Sequence, residues 1–448
     1  MLTHDQARDR AADLVARALK AGADAADAIY VADASTGVQV RLGALEDVQR
    51  SEGEEIGLRV FVGTQSASAS SSDLSADALG QLAERAVAMA GQAPEDPFAG
   101  LAPQDLLMRD APADLDLDDG GDVSPQDLRD RALAAEEAAR AVAGVTNSEG
   151  GSASAGRAIV ALATSTGFAG SYSGSSHGVS ASVLAGEGAA MQRDYAYHSV
   201  RHLADLDDAA AIGREAGDKA VARLNPIKLK SGPMTVILDP RVGGSLVSHL
   251  IGAITGSSIA RKTSFLLDAL ETEVFNPGIT IIDDPHRARG LRSRPFDGEG
   301  LVTHRSAIID KGVLTTWLLD SASARQLGLS PTGHASRGVG GPPGAGASNL
   351  HMAAGTMTRS DLMAEIQEGF YVTELIGQGV NGLTGDYSRG ASGFVIRNGA
   401  IAEPVAEVTI AGNLKDMFRN LTPANDLTFR YGTNVPTLRL EGMTLAGD

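Results

Sequence analysis

The chain has 448 residues, too many for one ordinary hydrophobic core, so two domains of roughly 200 residues each are expected. Hydrophobic residues at 43% and charged residues at 21% exclude an intrinsically disordered chain, while 53 glycines and only 4% aromatics imply small-residue packing and many turns. A net charge of -18 argues against direct nucleic-acid binding, the absence of cysteine rules out disulfides and thiolate ligands, and no apolar run is long enough to cross a membrane.

The N-terminus lacks the apolar core of a signal peptide, which makes a cytoplasmic protein the expectation. Thr3 and Gln6 form a capping box for a first helix, whose Leu14, Val15, Ala18 and Leu19 make an apolar stripe before Gly22 ends it. Strands are predicted near 28–32, 37–42 and 56–62, alternating as in an antiparallel, half-buried sheet, and a helix at 76–90 returns across them. Between residues 95 and 137 there are 13 acidic residues against Arg109, Arg129 and Arg131, a net of -10 that reads as solvated surface. The run at 115–122 resembles a calcium loop only superficially, lacking the glycine at the sixth loop position and the glutamate at the twelfth. Ser124-Pro125 is a strong helix start.

From 150 to 191 Gly, Ser and Ala alternate with Val, Ile and Leu, a period of two that a flexible linker has no reason to keep. The next stretch, MQRDYAYHSVRHLADLDD, places His198 and His202 four residues apart, a candidate metal pair to which Asp205 or Asp207 could add a carboxylate. No glutamate follows with the spacing of a catalytic base. A helix over 209–224 precedes Asn225-Pro226, which divides the chain into an N-terminal domain at 1–225 and a C-terminal domain at 226–448.

The second domain opens with a buried strand at 234–238, closed by Asp239-Pro240, and a helix made apolar on one side by Leu246, Leu250 and Ala253 and on the other by Val247, Ile251 and Ile254. That helix is predicted to be buried nearly all round, with His249 as a packed core histidine rather than a metal ligand. Residues 296–328 read as strand, Asp310-Lys311-Gly312 turn, strand and short helix. The loop SRGVGGPPGAGASNL at 336–350 lacks the Gly-Lys-Ser/Thr ending of a phosphate loop and reads as a rigid ordered loop beside a central cavity. In 372–399 Asn398-Gly399 signals a hairpin, and glycines at 377, 379, 382 and 385 allow close backbone approach. Asp386, Tyr387, Ser388 and Arg389 beside them either stabilise the turn or contact substrate or partner.

The segments at 191–197, 232–264, 296–328, 336–350, 372–399 and 408–418 together resemble the TldD/PmbA family, named as modulators of DNA gyrase and understood as paired subunits of a metallopeptidase. In the TldD branch the helix after the buried strand carries His-Glu, three spacers and a second His, which bind zinc and supply a base. Aligned on Lys262-Thr263-Ser264, this chain has Val247-Ser248-His249-Leu250-Ile251-Gly252 there, with no glutamate and one misplaced imidazole; the third ligand, a cysteine, is also missing. The resemblance is to the PmbA (TldE) branch. It implies an α/β (α+β) two-domain fold, with a helix-covered antiparallel sheet followed by a β-rich, barrel-like domain. It further implies a subunit with no catalytic residue, metal or cofactor of its own, zinc residing in a TldD-like partner, and a shared chamber for unfolded peptide; a homodimer in the partner's absence stays open. Peptide or partner contact is expected at Gly379, Gly382 and Gly385 and at Asp386, Tyr387, Ser388 and Arg389. Two other readings stand beside it, a self-sufficient metallohydrolase using His198 and His202 and a stand-alone peptide-binding module. A serine hydrolase is weaker still, since no Gly-x-Ser-x-Gly elbow is expected and the many serines sit in loop-like or strand-like runs without a recognisable base.

Overall fold

The computed structural model describes residues 1–110 and 112–448. Helix α1 (His4–Lys20) starts with the expected capping box: the Thr3 hydroxyl accepts from the Gln6 N–H at 3.3 Å and the Gln6 side chain accepts from the Thr3 N–H at 3.0 Å. It buries Ala7, Ala11, Leu14, Val15 and Ala18, whereas Leu19 lies at the edge of the stripe and stays exposed. Strands β1 (Ala25–Arg41), β2 (Ala44–Val62) and β3 (Gln65–Ser71) follow, then α2 (Ala76–Ala90) and, after the acidic segment, α3 (Pro125–Arg140) capped by Ser124. Strands β4 (Val145–Thr164), β5 (Ala169–Ala185) and β6 (Gln192–Val200) and helix α4 (Ala209–Ala222) complete this half. The six strands form one antiparallel sheet in the order β3-β2-β1-β4-β5-β6.

Two sequence expectations need correction here. The segments at 28–32 and 37–42 are one strand, because Asp33–Gly37 pairs on both sides, with β2 and with β4, and does not turn. The strand at 56–62 is only the inner end of β2, whose outer residues 44–53 are all exposed and therefore carry no apolar alternation to read.

All four helices cover one face of this sheet. Ala26, Ala28, Tyr30 and Ala32 pack beneath α1 and α2, Val38 and Val40 beneath α3, and Val179, Ala181 and Val183 beneath α4. Small residues set the spacing: a Cβ on Gly213 of α4 would stand 2.0 Å from the Ala135 carbonyl oxygen of α3, so the two helices touch through their backbones. At one end of the opposite face Ile29, Leu162 and Phe168 meet Phe296 and Leu301 of the C-terminal half.

That half begins with β7 (Gly232–Leu238) and α5 (Pro240–Ile254), the latter capped by Asp239 with proline at its first position, then α6 (Gly256–Ala260). A smaller sheet takes β8 (Ile281–Asp283), β9 (Ser306–Asp310) and β10 (Val313–Leu314), the last two joined by the expected turn, in which Lys311 and Gly312 both have positive φ. Then come α7 (Ser321–Leu327), the short hairpin β11 (Ala335–Ser336) and β12 (Gly344–Ala345), β13 (Leu350–Met352) and α8 (Arg359–Met363). The chain ends with β14 (Glu368–Ile376), β15 (Asp386–Arg397), β16 (Ala400–Asn413), α9 (Leu414–Arg419), β17 (Leu421–Pro423), β18 (Thr433–Asn434) and β19 (Leu438–Ala446). Strand β7 lies between parallel β14 and antiparallel β19, and β19 also pairs with β16, so β7, β14, β15, β16 and β19 close into a five-stranded barrel. The mixed α+β class and the barrel agree with the sequence reading.

The halves are bolted together by buried charge. Asp27 on β1 ion-pairs with Arg59 on β2 and with Arg337 from the 336–350 loop, all three nearly inaccessible, and Glu299 approaches Arg59 at 3.9 Å. The 336–350 loop is thus ordered as expected, but it leans on the N-terminal sheet: a Cβ on Gly57 would stand 2.1 Å from the Val339 carbonyl oxygen. In the acidic segment, Asp118 accepts from Arg157 at 2.7 Å and from Ser173 at 2.6 Å, and Asp119 meets His177 at 2.8 Å. These carboxylates fasten their loop across β4 and β5.

Candidate functional site

A cleft of about 620 Å³ opens between the helix-free face of β6, the start of α5, the ends of β14 and β15, and the 430–433 segment. It runs into a second hollow of about 610 Å³ over the sheet, with which it shares Arg193, Tyr195, Tyr197 and Ser199. The period of two in RDYAYHS makes this wall: Arg193, Tyr195, Tyr197 and Ser199 point out while Asp194 and Ala196 point in. In register beside them stand Ser182, Ser180 and Gly178, and Ser180 exchanges a hydrogen bond with Ser152 at 2.8 Å, so the floor is small and polar.

The walls carry aromatic rings and guanidinium groups. Tyr195 and Tyr197 stack with centroids 6.2 Å apart, Tyr431 closes on Tyr197 at 5.7 Å, and Arg241 lies over the Tyr195 ring at 5.5 Å. Beneath them Asp194 joins the two halves: it accepts from Arg241 at 2.8 and 3.1 Å and from Arg223 at 3.2 Å. Burial pushes the Asp194 carboxyl up, but hydrogen bonds and charge from Arg241, the Tyr195 N–H and Arg223 outweigh it and hold it below the usual carboxylate range. Arg193 reaches Glu149 at 3.6 Å and Glu374 at 3.9 Å, and Arg430 pairs with Asp207 at 2.8 Å. Apart from Arg389 on β15, sequence reasoning missed this arginine and tyrosine lining, because its members come from β6, α5, the 287–293 loop and the 430 segment. The alternating tyrosines of β6 were the one local signal.

Helix α5 is not buried all round. Leu246, Val247, Leu250, Ala253 and Ile254 enter the core, but Gly244, Ser245 and Ser248 border the cleft and Gly252 is exposed with no atom within 4 Å of a Cβ built on it. The helix looked uniformly apolar because its open stripe is made of Gly and Ser. Of the degenerate motif positions, Val247 is 1% exposed and points away from the cleft, and Ser248 and Gly252 offer no metal donor. The residues therefore do not fit zinc, and among the described residues no group of three potential ligands gathers anywhere else. His249 lies half-buried, edge-on to Tyr387 with centroids 6.1 Å apart and its Nε2 without a partner. Burial, and then the charge of Arg389, pull its pKa down, so the ring is neutral.

His198 and His202 do not form a metal pair. β6 ends at Val200, so the chain turns between them; His198 Nδ1 accepts from the Asp207 N–H at 3.2 Å, while His202 Nε2 meets the Asp116 carbonyl at 2.9 Å. A Gly-x-Ser-x-Gly spacing does occur at 174–178, but it runs through the middle of β5 rather than at a strand-to-helix turn, so it builds no nucleophile elbow.

The glycine loop between β14 and β15 divides by geometry. A Cβ on Gly379 would stand 2.0 Å from the Ser388 carbonyl oxygen, and Gly385 has φ +84°, so both are needed by the turn itself. Gly382 is exposed, and a Cβ on it would meet nothing nearer than the Thr263 carbonyl oxygen at 3.8 Å. Asp386 accepts from Thr384 at 2.6 Å and from Asn413 at 3.1 Å, and the Ser388 N–H donates to Gly379 at 2.6 Å. Tyr387 is buried. Of these four polar residues, Arg389 is the one that borders the cleft.

Comparisons with known proteins agree along the whole length. Models of the PmbA/TldA metallopeptidase domain 1, central domain and C-terminal domain match residues 26–90, 118–224 and 231–447. The chain is 40% identical to the metalloprotease PmbA of Escherichia coli O157:H7, covering 97% of this chain and 96% of that one. It is 38% identical to a PmbA homologue of Haemophilus influenzae over 96% and 94% of the respective lengths. A suggested modulator of DNA gyrase from Bacteroides thetaiotaomicron superposes with a TM-score of 0.92 at 29% identity over 100% of both chains. TldE from Thermococcus kodakarensis, at 20% identity, shares the fold with a TM-score of 0.88 over 98% and 100%.

Proposed function

The chain belongs to the PmbA/TldD metallopeptidase family, and on that premise we propose that it is the non-catalytic subunit of a cytoplasmic two-subunit peptidase, walling a chamber in which unfolded peptide is held. One observation carries this reading. At the position where the peptidase branch is expected to bind zinc, α5 presents Ser248 and Gly252 to solvent and turns Val247 into the core. Zinc would be held by a TldD-type partner and supply Lewis-acid chemistry there. This chain's residues would bind and orient: an extended peptide, but not a folded domain, can lie along the serine floor with its side chains against Tyr195, Tyr197 and Tyr431.

The test is purification with and without a TldD-type partner, with a peptidase assay on each fraction. Cleavage of a disordered peptide is expected only where both chains are present. Zinc-dependent cleavage by this chain alone would overturn the assignment, and peptide binding without any association between the chains would make it a stand-alone binding module.

A further inference from the structure

Five arginines border the cleft, and three are matched by acids: Arg241 by Asp194, Arg430 by Asp207 and Arg193 by Glu149 and Glu374. Arg292 and Arg389 have no acidic side chain within ion-pair distance among the described residues. Arg292 is exposed, but Arg389 is only partly so, and its Nε is buried without a hydrogen-bond partner. Beside it Tyr387, only 2% exposed, packs in the core and turns its hydroxyl toward Arg389 without bringing it a negative charge. Burial raises the pKa of that hydroxyl to about 12 against the charge and hydrogen bond of Arg389, so it stays neutral. The other near neighbour, His249, whose pKa burial and Arg389 pull down, can bring Arg389 no negative charge in either protonation state.

What sets Arg292 and Arg389 apart is their place, since both line the cleft and neither has an acid to neutralise it. A guanidinium group on a cleft wall with no acid beside it suits a ligand that supplies the charge and the acceptors. A carboxylate does so: it brings one negative charge and two oxygens, and guanidinium groups match it in shape. We propose that Arg389 and Arg292 form a carboxylate-binding site in this cleft, which takes a carboxylate of the bound peptide, either its free C-terminus or an acidic side chain. Resting on the peptide-holding reading above, this adds what anchors the peptide and so sets its register relative to the partner's active site. Arg389, at the end of the small-residue loop, would take the anion, with Arg292, on the same cleft, adding positive charge.

The experiment uses the full chain and three N-terminally labelled Ala/Ser hexapeptides in fluorescence anisotropy: one with a free C-terminus, one C-terminally amidated, and one amidated but carrying an internal glutamate. The free acid is expected to bind about tenfold more tightly than the plain amide, the scale of a charge-assisted hydrogen-bond pair, with the gap shrinking as salt is raised. Recovery with the internal glutamate assigns the site to acidic side chains as well; no recovery assigns it to the C-terminus. Arg389→Gln should abolish the acid-over-amide preference and Arg389→Lys should restore part of it. Arg292→Gln, at an exposed position that does not threaten folding, should reduce it, and Arg8→Gln on α1 should leave it unchanged. Equal binding of all three peptides by the parent chain overturns the carboxylate site and leaves the peptide-holding role standing; binding of none overturns both. A preference that survives both Arg389→Gln and Arg292→Gln also overturns the site.

Discussion

Glu299 offers a sharp test of how the two halves are joined. Its carboxylate accepts from the Ser321 N–H at 2.9 Å and from the Ser321 hydroxyl at 2.6 Å, with Arg59 at 3.9 Å. Burial is the largest influence and, with the neighbouring Asp297, lifts its pKa from 4.5 to about 7 despite the hydrogen bonds from Ser321. Between those two values the unfolded chain has released the proton and the folded chain still holds it. Stability from this group is therefore complete below pH 4.5 and is lost as pH rises to about 7. The span corresponds to roughly 3 kcal/mol. In Glu299→Gln the amide oxygen can still accept from Ser321 but nothing titrates. Urea unfolding of both proteins at pH 5 and pH 8 should show the variant gaining about 2 to 3 kcal/mol on the parent between the two conditions, other titrating groups cancelling in the difference. A stability difference that does not move with pH would show that Glu299 is already ionised at pH 5 in the folded protein, and the reasoning would fail.

The isolated chain is expected to carry no stoichiometric zinc, and elemental analysis showing one tightly held zinc per chain would refute this. His249→Leu should change stability by only about 1 kcal/mol and leave cleavage by the assembled complex intact, because no hydrogen bond of Nε2 is lost; a large fall in turnover at unchanged melting temperature would count against it. The glycine loop gives a paired test. Gly379→Val should destabilise by at least about 1 to 3 kcal/mol, its Cβ meeting the Ser388 carbonyl at 2.0 Å. Gly382→Val should melt normally yet lower cleavage of disordered peptides by the complex about threefold to tenfold if peptide main chain passes there. Unchanged cleavage would leave that loop a purely structural turn.

What could be read from the sequence was what local chemistry dictates. The Thr3 and Gln6 box and the Ser124-Pro125 start satisfy their own backbone and need no distant partner, and the Asn398-Gly399 turn is set by the local φ of 48° and 81° that these residues tolerate, although its N–H groups donate to Gln367 and Ile366. The alternation at 150–191 survived as β4 and β5 because the helices bury one face only. The outer half of β2 was hidden, since both its faces are wet, and so was the turn-like Asp33–Gly37, which only its two neighbouring strands keep extended. The open stripe of α5 escaped notice because glycine and serine are as compatible with a tight core as with a cleft. Arg389 stood out as a polar residue beside the glycines, but Arg193, Arg241, Arg292 and Arg430 meet it only through the fold, and no spacing rule relates positions that far apart.

The closure of the barrel bears on how the chain is made. Leu438–Ala446 completes the ring by pairing with Gly232–Leu238 on one side and with the 409–411 stretch of β16 on the other, so the first strand of the domain waits for the last. During synthesis β7 and β16 keep unpaired edges until that strand emerges, and the pairing it makes spans the whole domain. Such long-range closure is slow, and exposed edges are where chains join wrongly. The N-terminal sheet has one such long-range join, β1 with β4, and otherwise pairs neighbours, and all of it has emerged before β7 is made, so a ribosome should carry a finished first half and an open second one for most of the time the second is being translated.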